Sequence, residues 1–354
     1  MTSGQPSFLF IKLKHFGDVL LLTPALAAVR RAYPQAHIAV VVREGTEQIL
    51  PKDGLIDEIH LTVPPEKKRR RAGQLLDGVR LLRRLRERCY DYVFELTDGD
   101  RGRWLGALCR AKARCASSYG WHNHGFWSLI YRDLLPDDWN QGHRVEKDHM
   151  LVRHFLRLPS GEAPPLGVSI PEKLSVNIEP PAGPFVIIHP ATRWKRKQWP
   201  RERWAAVGRF LVSQGLMCVI SCGPDEEEIA FARALRDDIG PAAASCTEGR
   251  ASWGDLGWLL SRARLFVGLD TAAMHLAAGC AIPVVALFGP SIDRHWHPWR
   301  TAYEIVSPPP QLTNVYPDFM YDAVKRSMDG ITVEEVIAAC GRMLHQTNEG
   351  GHAR

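Results

Sequence analysis

Two doubly wound α/β domains, each a parallel sheet covered by helices, are the fold that this sequence predicts. Three observations support that prediction. The chain has 354 residues, 45% of them hydrophobic and 24% charged. This is a globular composition, on a length beyond the roughly 250 to 300 residues at which a single core stops growing. Strand-like and helix-like segments alternate in both halves, as a parallel sheet with crossover helices requires. Residues 159–184, between the halves, hold seven prolines, which neither a helix interior nor a central strand accepts. The domains are therefore placed at 1–172 and 173–330, with 331–354 as a C-terminal helix and tail.

In the first half, Phe8 to Leu13 is an apolar run of buried-strand length, and Asp18 to Ala32 has the period of a helix. His37 to Val42 is a β-branched strand, Asp57 to Leu61 a shorter one, and Tyr90 to Leu96 another. Gly73 to Arg88 predicts a basic amphipathic helix, and Val145 to Leu158 a further helix. The second half starts again with the strand Phe185 to His189, a helix opening at Pro200, and the strand Met217 to Ser221. Helices at Glu226 to Asp237, Asp255 to Ala263 and Thr271 to Gly279 alternate with strands at Leu265 to Val267 and Pro283 to Phe288. Thr332 and Glu335 have the spacing of a capping box, which opens a last helix to about Leu344.

Composition narrows the function. No stretch approaches the roughly 18 apolar residues of a membrane-spanning helix. The first seven residues lack a basic region, and Lys12 and Lys14 break the apolar run that follows. This predicts no secretory signal and a cytoplasmic location. Eight cysteines lie between Cys89 and Cys340 with no Cys-x-x-Cys pair, as expected of buried thiols in a reducing compartment. The net charge is +6, but Lys67 to Arg71 is an unbroken cationic run, followed by Arg80, Arg83, Arg84, Arg86 and Arg88. Such a run is either a solvated face or a site for an acidic partner, here a phosphorylated lipid or an anionic membrane surface. Nucleic acid is disfavoured, because no aromatic-studded RNA motif or DNA-reading module accompanies the charge. A dinucleotide oxidoreductase is disfavoured too, since no Gly-x-Gly-x-x-Gly follows Phe8 to Leu13.

Four strand-to-helix turns could carry chemistry. Lys12 to Leu20 places Gly17 and Asp18 at the mouth of a sheet, where a carboxylate serves as a general base or as a helix cap. His189 to Pro200 crowds Arg193, Lys195, Arg196 and Lys197 beside Thr192. That turn is either a solvated basic loop or a cradle for a diphosphate. Phe266 to Ala278 delivers Asp270 and Thr271 to a helix start, followed by the small Ala272 and Ala273 and by His275; a capped packing helix and a phosphate site both fit. Ser221 to Glu228 sets acids just after a strand, where a ribose-binding carboxylate or a negatively capped helix is expected.

As a set, these turns resemble family 9 glycosyltransferases, the ADP-heptose:lipopolysaccharide heptosyltransferases, over nearly the whole chain. The likeness rests on Lys-x-x-x-x-Gly-Asp-Val-Leu-Leu from Lys12, the Arg-to-Trp-Pro segment ending at Pro200, Gly-Pro-Asp-Glu from Gly223, and Gly-x-Asp-Thr-x-x-Met-His-Leu-Ala-Ala from Gly268. Leu96-Thr97-Asp98 and His295-Trp296-His297-Pro298-Trp299 resemble the heptosyltransferase III type, which adds the third, branching heptose. The resemblance implies a GT-B architecture of two Rossmann-like domains facing a central cleft, with the acceptor in the first, the donor in the second, and the last helix crossing back to the first. It implies inverting transfer from ADP-heptose to the lipid A-core oligosaccharide, with Asp18 as catalytic base and no metal. Thr192, Arg193, Lys197, Glu226, Asp270, Thr271, Ala272 and His275 are the implied donor residues. Lys12, Lys14, Gly17, Asp98 and Arg101 are assigned to the acceptor. The choice among Lys195, Arg196 and Lys197 as the diphosphate contact stays open. Asp98-Gly99-Asp100 has the form of an Asp-x-Asp metal motif, but it falls in the acceptor domain and is given no metal role.

Overall fold

The computed structural model describes residues 5–63, 71–118, 124–131, 133–136, 142–175, 178–308 and 327–350. Most of the cationic run Lys67 to Arg71 and the last four residues lie outside these ranges. The chain divides into two compact units, Met1–Ser169 and Ile170–Arg354.

In the first unit the strands are β1 (Ser7–Lys12), β2 (His37–Arg43), β3 (Glu58–Thr62), β4 (Tyr90–Glu95), β5 (Ala111–Ser118) and β6 (Asp133–Pro136). They form one parallel sheet in the order β3-β2-β1-β4-β5-β6. Every residue of β1 is buried, as a parallel strand covered on both faces demands. The helices are α1 (Phe16–Leu20), α2 (Thr23–Ala32), α3 (Arg71–Leu85), α4 (Asp100–Leu108), α5 (His124–Ile130) and α6 (Arg144–Leu156). The single helix expected over 18–32 is broken into α1 and α2. Pro24 stands at the start of α2 and has no N–H to continue the ladder, while the Thr23 hydroxyl donates to the Leu20 carbonyl at 2.7 Å. Residues 101–144 carry no strand or helix pattern that periodicity detects. There β5, Ala-Lys-Ala-Arg-Cys-Ala-Ser-Ser, lacks β-branched residues and is a strand because β4 and β6 pair with it on both sides.

The second unit has the same layout. Its strands β7 (Phe185–His189), β8 (Met217–Ile220), β9 (Ala244–Cys246), β10 (Phe266–Leu269), β11 (Val284–Leu287) and β12 (Tyr303–Val306) run in the order β12-β11-β10-β7-β8-β9, all parallel. The helices are α7 (Arg201–Ser213), α8 (Glu226–Ile239), α9 (Trp253–Leu260), α10 (Ala272–Gly279), α11 (Asp293–Trp296) and α12 (Val333–Gly350). Numbered within its own unit, each sheet has the order 3-2-1-4-5-6. The chain reverses direction across the sheet between β1 and β4 in one unit and between β7 and β10 in the other, and ligands bind doubly wound sheets at such a switch point.

The capping box at Thr332 is present, with the Glu335 carboxylate accepting from the Thr332 N–H at 2.9 Å. In the helix it opens, the described part of α12 buries Val336, Ala339, Cys340 and Met343 in the core of the second unit. The Trp199 indole (3.1 Å) and Arg203 (2.7 Å) both donate to the Ile331 carbonyl at its approach.

Candidate functional site

At the first switch point, the turns after β1 and β4 are joined through one hydroxyl. Thr97 Oγ1 accepts from the Leu13 N–H at 2.9 Å and donates to the Ile11 carbonyl at 3.3 Å. This fixes Lys12 and Lys14 against Asp98. Asp98 has φ +58°, a left-handed conformation that a non-glycine residue adopts only when its surroundings hold it there. Its carboxylate accepts from Ser117 Oγ at 2.7 Å and pairs with Lys147 Nζ at 2.7 Å and Lys14 Nζ at 3.9 Å. Burial acts to raise the Asp98 pKa, but Lys147, Lys14 and Lys12 outweigh it and hold the group far below the usual carboxylate range. Lys12 is buried and pairs with Asp148 Oδ2 at 2.6 Å. Burial alone would lower its pKa, yet Asp148, Asp18 and Asp98 together hold it above its ordinary value. Lys14 goes the other way, lowered by burial against the pull of Asp98 and Asp18.

Asp18 stands half-buried at the third position of α1, after Gly17. Its Oδ2 accepts a long 3.3 Å hydrogen bond from the His15 N–H, so a capping contact and a solvent-facing carboxylate coexist. Arg101 reaches away from the turn, donating to Thr62 Oγ1 and to the Val63 carbonyl at 2.9 Å, and so ties α4 to the end of β3.

Several residues of this centre were not singled out from the sequence. Lys147 and Asp148 come from α6, where Val145, Asp148 and Val152 share one helical face. All three are buried, so a carboxylate in an apolar row was the available signal. Glu95, last in β4 and only 1% exposed, accepts from the Thr97 N–H at 2.8 Å, with Arg103 Nε 3.9 Å from its other oxygen. Burial and the nearby Asp98 push its pKa up to about 7. Gly102 makes room for it, since a Cβ there would overlap Glu95 Oε1.

At the second switch point, Lys195–Lys197 form one 3-10 turn after β7, and Asp270 and Thr271 follow β10. Lys197 Nζ lies 2.7 Å from Asp270 Oδ2 and 3.3 Å from the Asp270 carbonyl, with side chains 17% and 10% exposed. Lys195, at 82% exposure, points instead toward Glu227, 3.8 Å away. The Trp194 ring backs this turn, 5.2 Å from Lys197 Nζ and 5.0 Å from the Arg196 guanidinium, within cation–π range. Arg193 is exposed, and Thr192 Oγ1 accepts from the Trp194 N–H at 3.3 Å. Burial acts to raise the Asp270 pKa, but Lys197 first and His275 next outweigh it and hold the carboxyl below its usual range.

Thr271 is the N-cap of α10 but makes no side-chain cap bond, and its hydroxyl is buried with no hydrogen-bond partner among the described residues. The first-turn amides of Ala272, Ala273 and Met274 have no partner within α10 itself. A cation, a buried hydroxyl and a helix N-terminus therefore converge, a combination suited to a diphosphate. Beneath it, His189 Nδ1 lies 2.8 Å from Ser221 Oγ, and burial lowers the His189 pKa to about 4, so the ring is neutral near pH 7. Glu226 opens α8 and is exposed, while Asp225 caps the helix by accepting from the Glu227 N–H at 2.9 Å. Glu228 Oε2 accepts from the Gly223 N–H at 2.8 Å, folding the loop so that Glu226 faces outward at the end of β8. No group of three or more His, Cys, Asp or Glu side chains among the described residues is arranged to hold a metal ion. Asp98 in particular is occupied by two lysines and a serine.

Comparison with known proteins gives the family and the fold. Residues 79–318 match the sequence profile of glycosyltransferase family 9 (heptosyltransferase). A lipopolysaccharide heptosyltransferase 3 of Escherichia coli K12 is 25% identical over 351 residues, covering 94% of this chain and 96% of its own. Among solved structures, a family 9 glycosyl transferase from Veillonella parvula superimposes with a TM-score of 0.77 at 19% identity, over 98% of this chain and 99% of that one. The E. coli heptosyltransferase WaaC with ADP gives 0.73 at 20% identity, over 95% and 99%. The two-domain parallel α/β fold is shared with both.

Proposed function

Because the chain belongs to glycosyltransferase family 9, we propose that it transfers L-glycero-D-manno-heptose from ADP-heptose to the inner core of lipopolysaccharide, with inversion, as the third heptose. The observation that carries this reading is the chemistry at the two switch points. A half-buried carboxylate, Asp18, stands among lysines at one, and a part-buried Lys197–Asp270 pair stands at a helix N-terminus at the other. The third position is supported by the E. coli heptosyltransferase 3 relatives, at 25–26% identity.

In this mechanism Asp18 takes the proton of the acceptor hydroxyl as that oxygen attacks the anomeric carbon, while the bond from that carbon to the diphosphate breaks. Lys197, Thr192, Arg193 and the first-turn amides at Thr271 and Ala272 neutralise the departing ADP, which does electrostatically what a metal would otherwise do. Asp270 orients the heptose hydroxyls, His275 supports Asp270, and Glu226 accepts the ribose hydroxyls. Lys14 and Asp98 bind the acceptor beside the small Gly17, Arg101 holds α4 to the end of β3 at the edge of this centre, and Lys12 holds it in place through Asp148. The acceptor is lipid-anchored, so the enzyme works at the cytoplasmic face of the inner membrane.

The test is Asp18→Ala, assayed with EDTA present. Turnover is expected to fall by about 10²-fold or more, with ADP affinity by calorimetry and thermal unfolding unchanged. Turnover retained in the variant would remove Asp18 as the base. Turnover abolished by EDTA in the wild type would remove the metal-free leaving-group assignment.

A further inference from the structure

In the first unit, α3, α4 and α5 form one layer on one face of the sheet. Leu81 and Leu85 of α3 pack with Leu105 of α4 on Leu9, Ile11 and Val93 of the strands. The α5 segment joins through Trp127, whose ring is 5.1 Å from that of Trp104, and Tyr131, which donates to the Arg103 carbonyl at 2.7 Å. The outward side of this layer carries exposed apolar side chains. Leu76 and Val79 on α3, Trp104 and Leu108 on α4, and Phe126 and Leu129 on α5 are 45% to 81% exposed. They are six of the eleven large apolar side chains exposed among the described residues. Singly scattered apolar residues need no explanation, but a concentration on one layer marks an interaction surface. Around the α3 stripe, Arg80, Arg83, Arg84, Arg86 and Arg88 are all exposed, against the acids Asp77 and Glu87.

We propose that the α3–α4–α5 layer is the docking face for an anionic lipid bilayer. The occupant follows from charge complementarity combined with exposed apolar groups. Leucine, phenylalanine and tryptophan side chains enter the headgroup boundary, and arginines on the same face pair with anionic headgroups. A second copy of the chain would bring one cationic face against another. A nucleic acid would engage the arginines but leave Leu129 and Phe126 without a partner. The inference rests on the reading of a lipid-anchored acceptor, and the geometry suits it. The α4 helix starts two residues after Asp98, and Trp104 lies about 6 Å of helix rise further on, so the acceptor centre is close to the docked face.

The test is co-sedimentation of the full chain with vesicles of pure phosphatidylcholine and of phosphatidylcholine with phosphatidylglycerol. Binding to the anionic vesicles alone is expected. Arg80→Gln with Arg83→Gln and Arg86→Gln should weaken it about 100-fold. Leu76→Asp with Leu129→Asp should weaken it at least tenfold while leaving transfer to a water-soluble core oligosaccharide unchanged. Equal or absent binding to the two vesicle types, or apolar variants that bind like the wild type, would overturn the docking face. So would a dimer in sedimentation velocity that Leu129→Asp dissolves, or oligonucleotide binding that the arginine variants lose while vesicle binding persists. Transfer to the soluble oligosaccharide reports on the glycosyltransferase reading separately, so the two fail independently.

Discussion

Lys197→Met separates the structural and chemical roles of the second switch point. The pair it breaks is short, 2.7 Å, and its side chains are 17% and 10% exposed. Removing one partner of such a pair leaves the other charge buried without compensation, which costs about 3 kcal/mol. Asp270, held low chiefly by Lys197 against its own burial, then shifts upward. A carboxyl with a depressed folded-state pKa contributes stability above its unfolded value near 3.8, and that stability is lost as pH falls through the folded value. The wild type should therefore exceed the variant most at neutral pH, and the gap should narrow toward acid. Urea unfolding followed by tryptophan fluorescence measures it, with Trp194, Trp199 and Trp204 all in this unit. Lys197→Met with Asp270→Asn should recover most of the lost stability, because no charge is left stranded, yet remain inactive. Lys195→Ala, at an exposed position, should change turnover far less. A single variant within about 0.5 kcal/mol of the wild type, or a double variant with wild-type turnover, would refute the role given to this pair.

Glu95→Gln should flatten the pH dependence of the first unit's stability. A carboxyl raised to about 7 stabilises the fold below its unfolded value near 4.5 and loses that contribution as pH rises through 7, a change of about 3 kcal/mol. Urea midpoints at pH 5 and pH 8 should differ more in the wild type than in the variant. Gly268→Ala would set a Cβ 2.6 Å from the Phe266 ring and 3.0 Å from the His189 carbonyl. It should lower stability by about 1–3 kcal/mol and raise KM for the donor, as steady-state kinetics and thermal unfolding would show. Asp98→Asn leaves Lys147 and Lys14 without their shared carboxylate. It should weaken acceptor binding while sparing ADP binding, and calorimetry with each ligand distinguishes the two.

Most strands were readable from the sequence because a parallel strand buried on both faces is an unbroken apolar run, as at Phe8 to Ile11 and Val284 to Leu287. The turns after β1 and β10 were readable for the same reason, since a charge, Lys12 in one and Asp270 in the other, interrupts each run. The α4-to-β6 region was not, because β5 has no strand composition and exists by pairing with its neighbours. The break between α1 and α2 turns on Pro24 and the Thr23 hydroxyl, which a periodicity pattern passes over. That Lys197 pairs with Asp270, 73 residues away in sequence, while Lys195 points toward Glu227, could not be read from spacing, because it depends on the 3-10 turn that carries both. Lys147, Asp148 and Glu95 are also long-range partners, set into the centre by the packing of α6 and β4 and not by any local motif.

The most direct measurement is mass-spectrometric detection of sugar transfer from ADP-heptose to lipopolysaccharide acceptors carrying zero, one or two core heptoses, with EDTA present. A mass increase of one heptose on the two-heptose acceptor alone, absent with Asp18→Ala, is the expected result. Addition to a shorter core would contradict the third position, and no addition to any acceptor would contradict ADP-heptose as the donor.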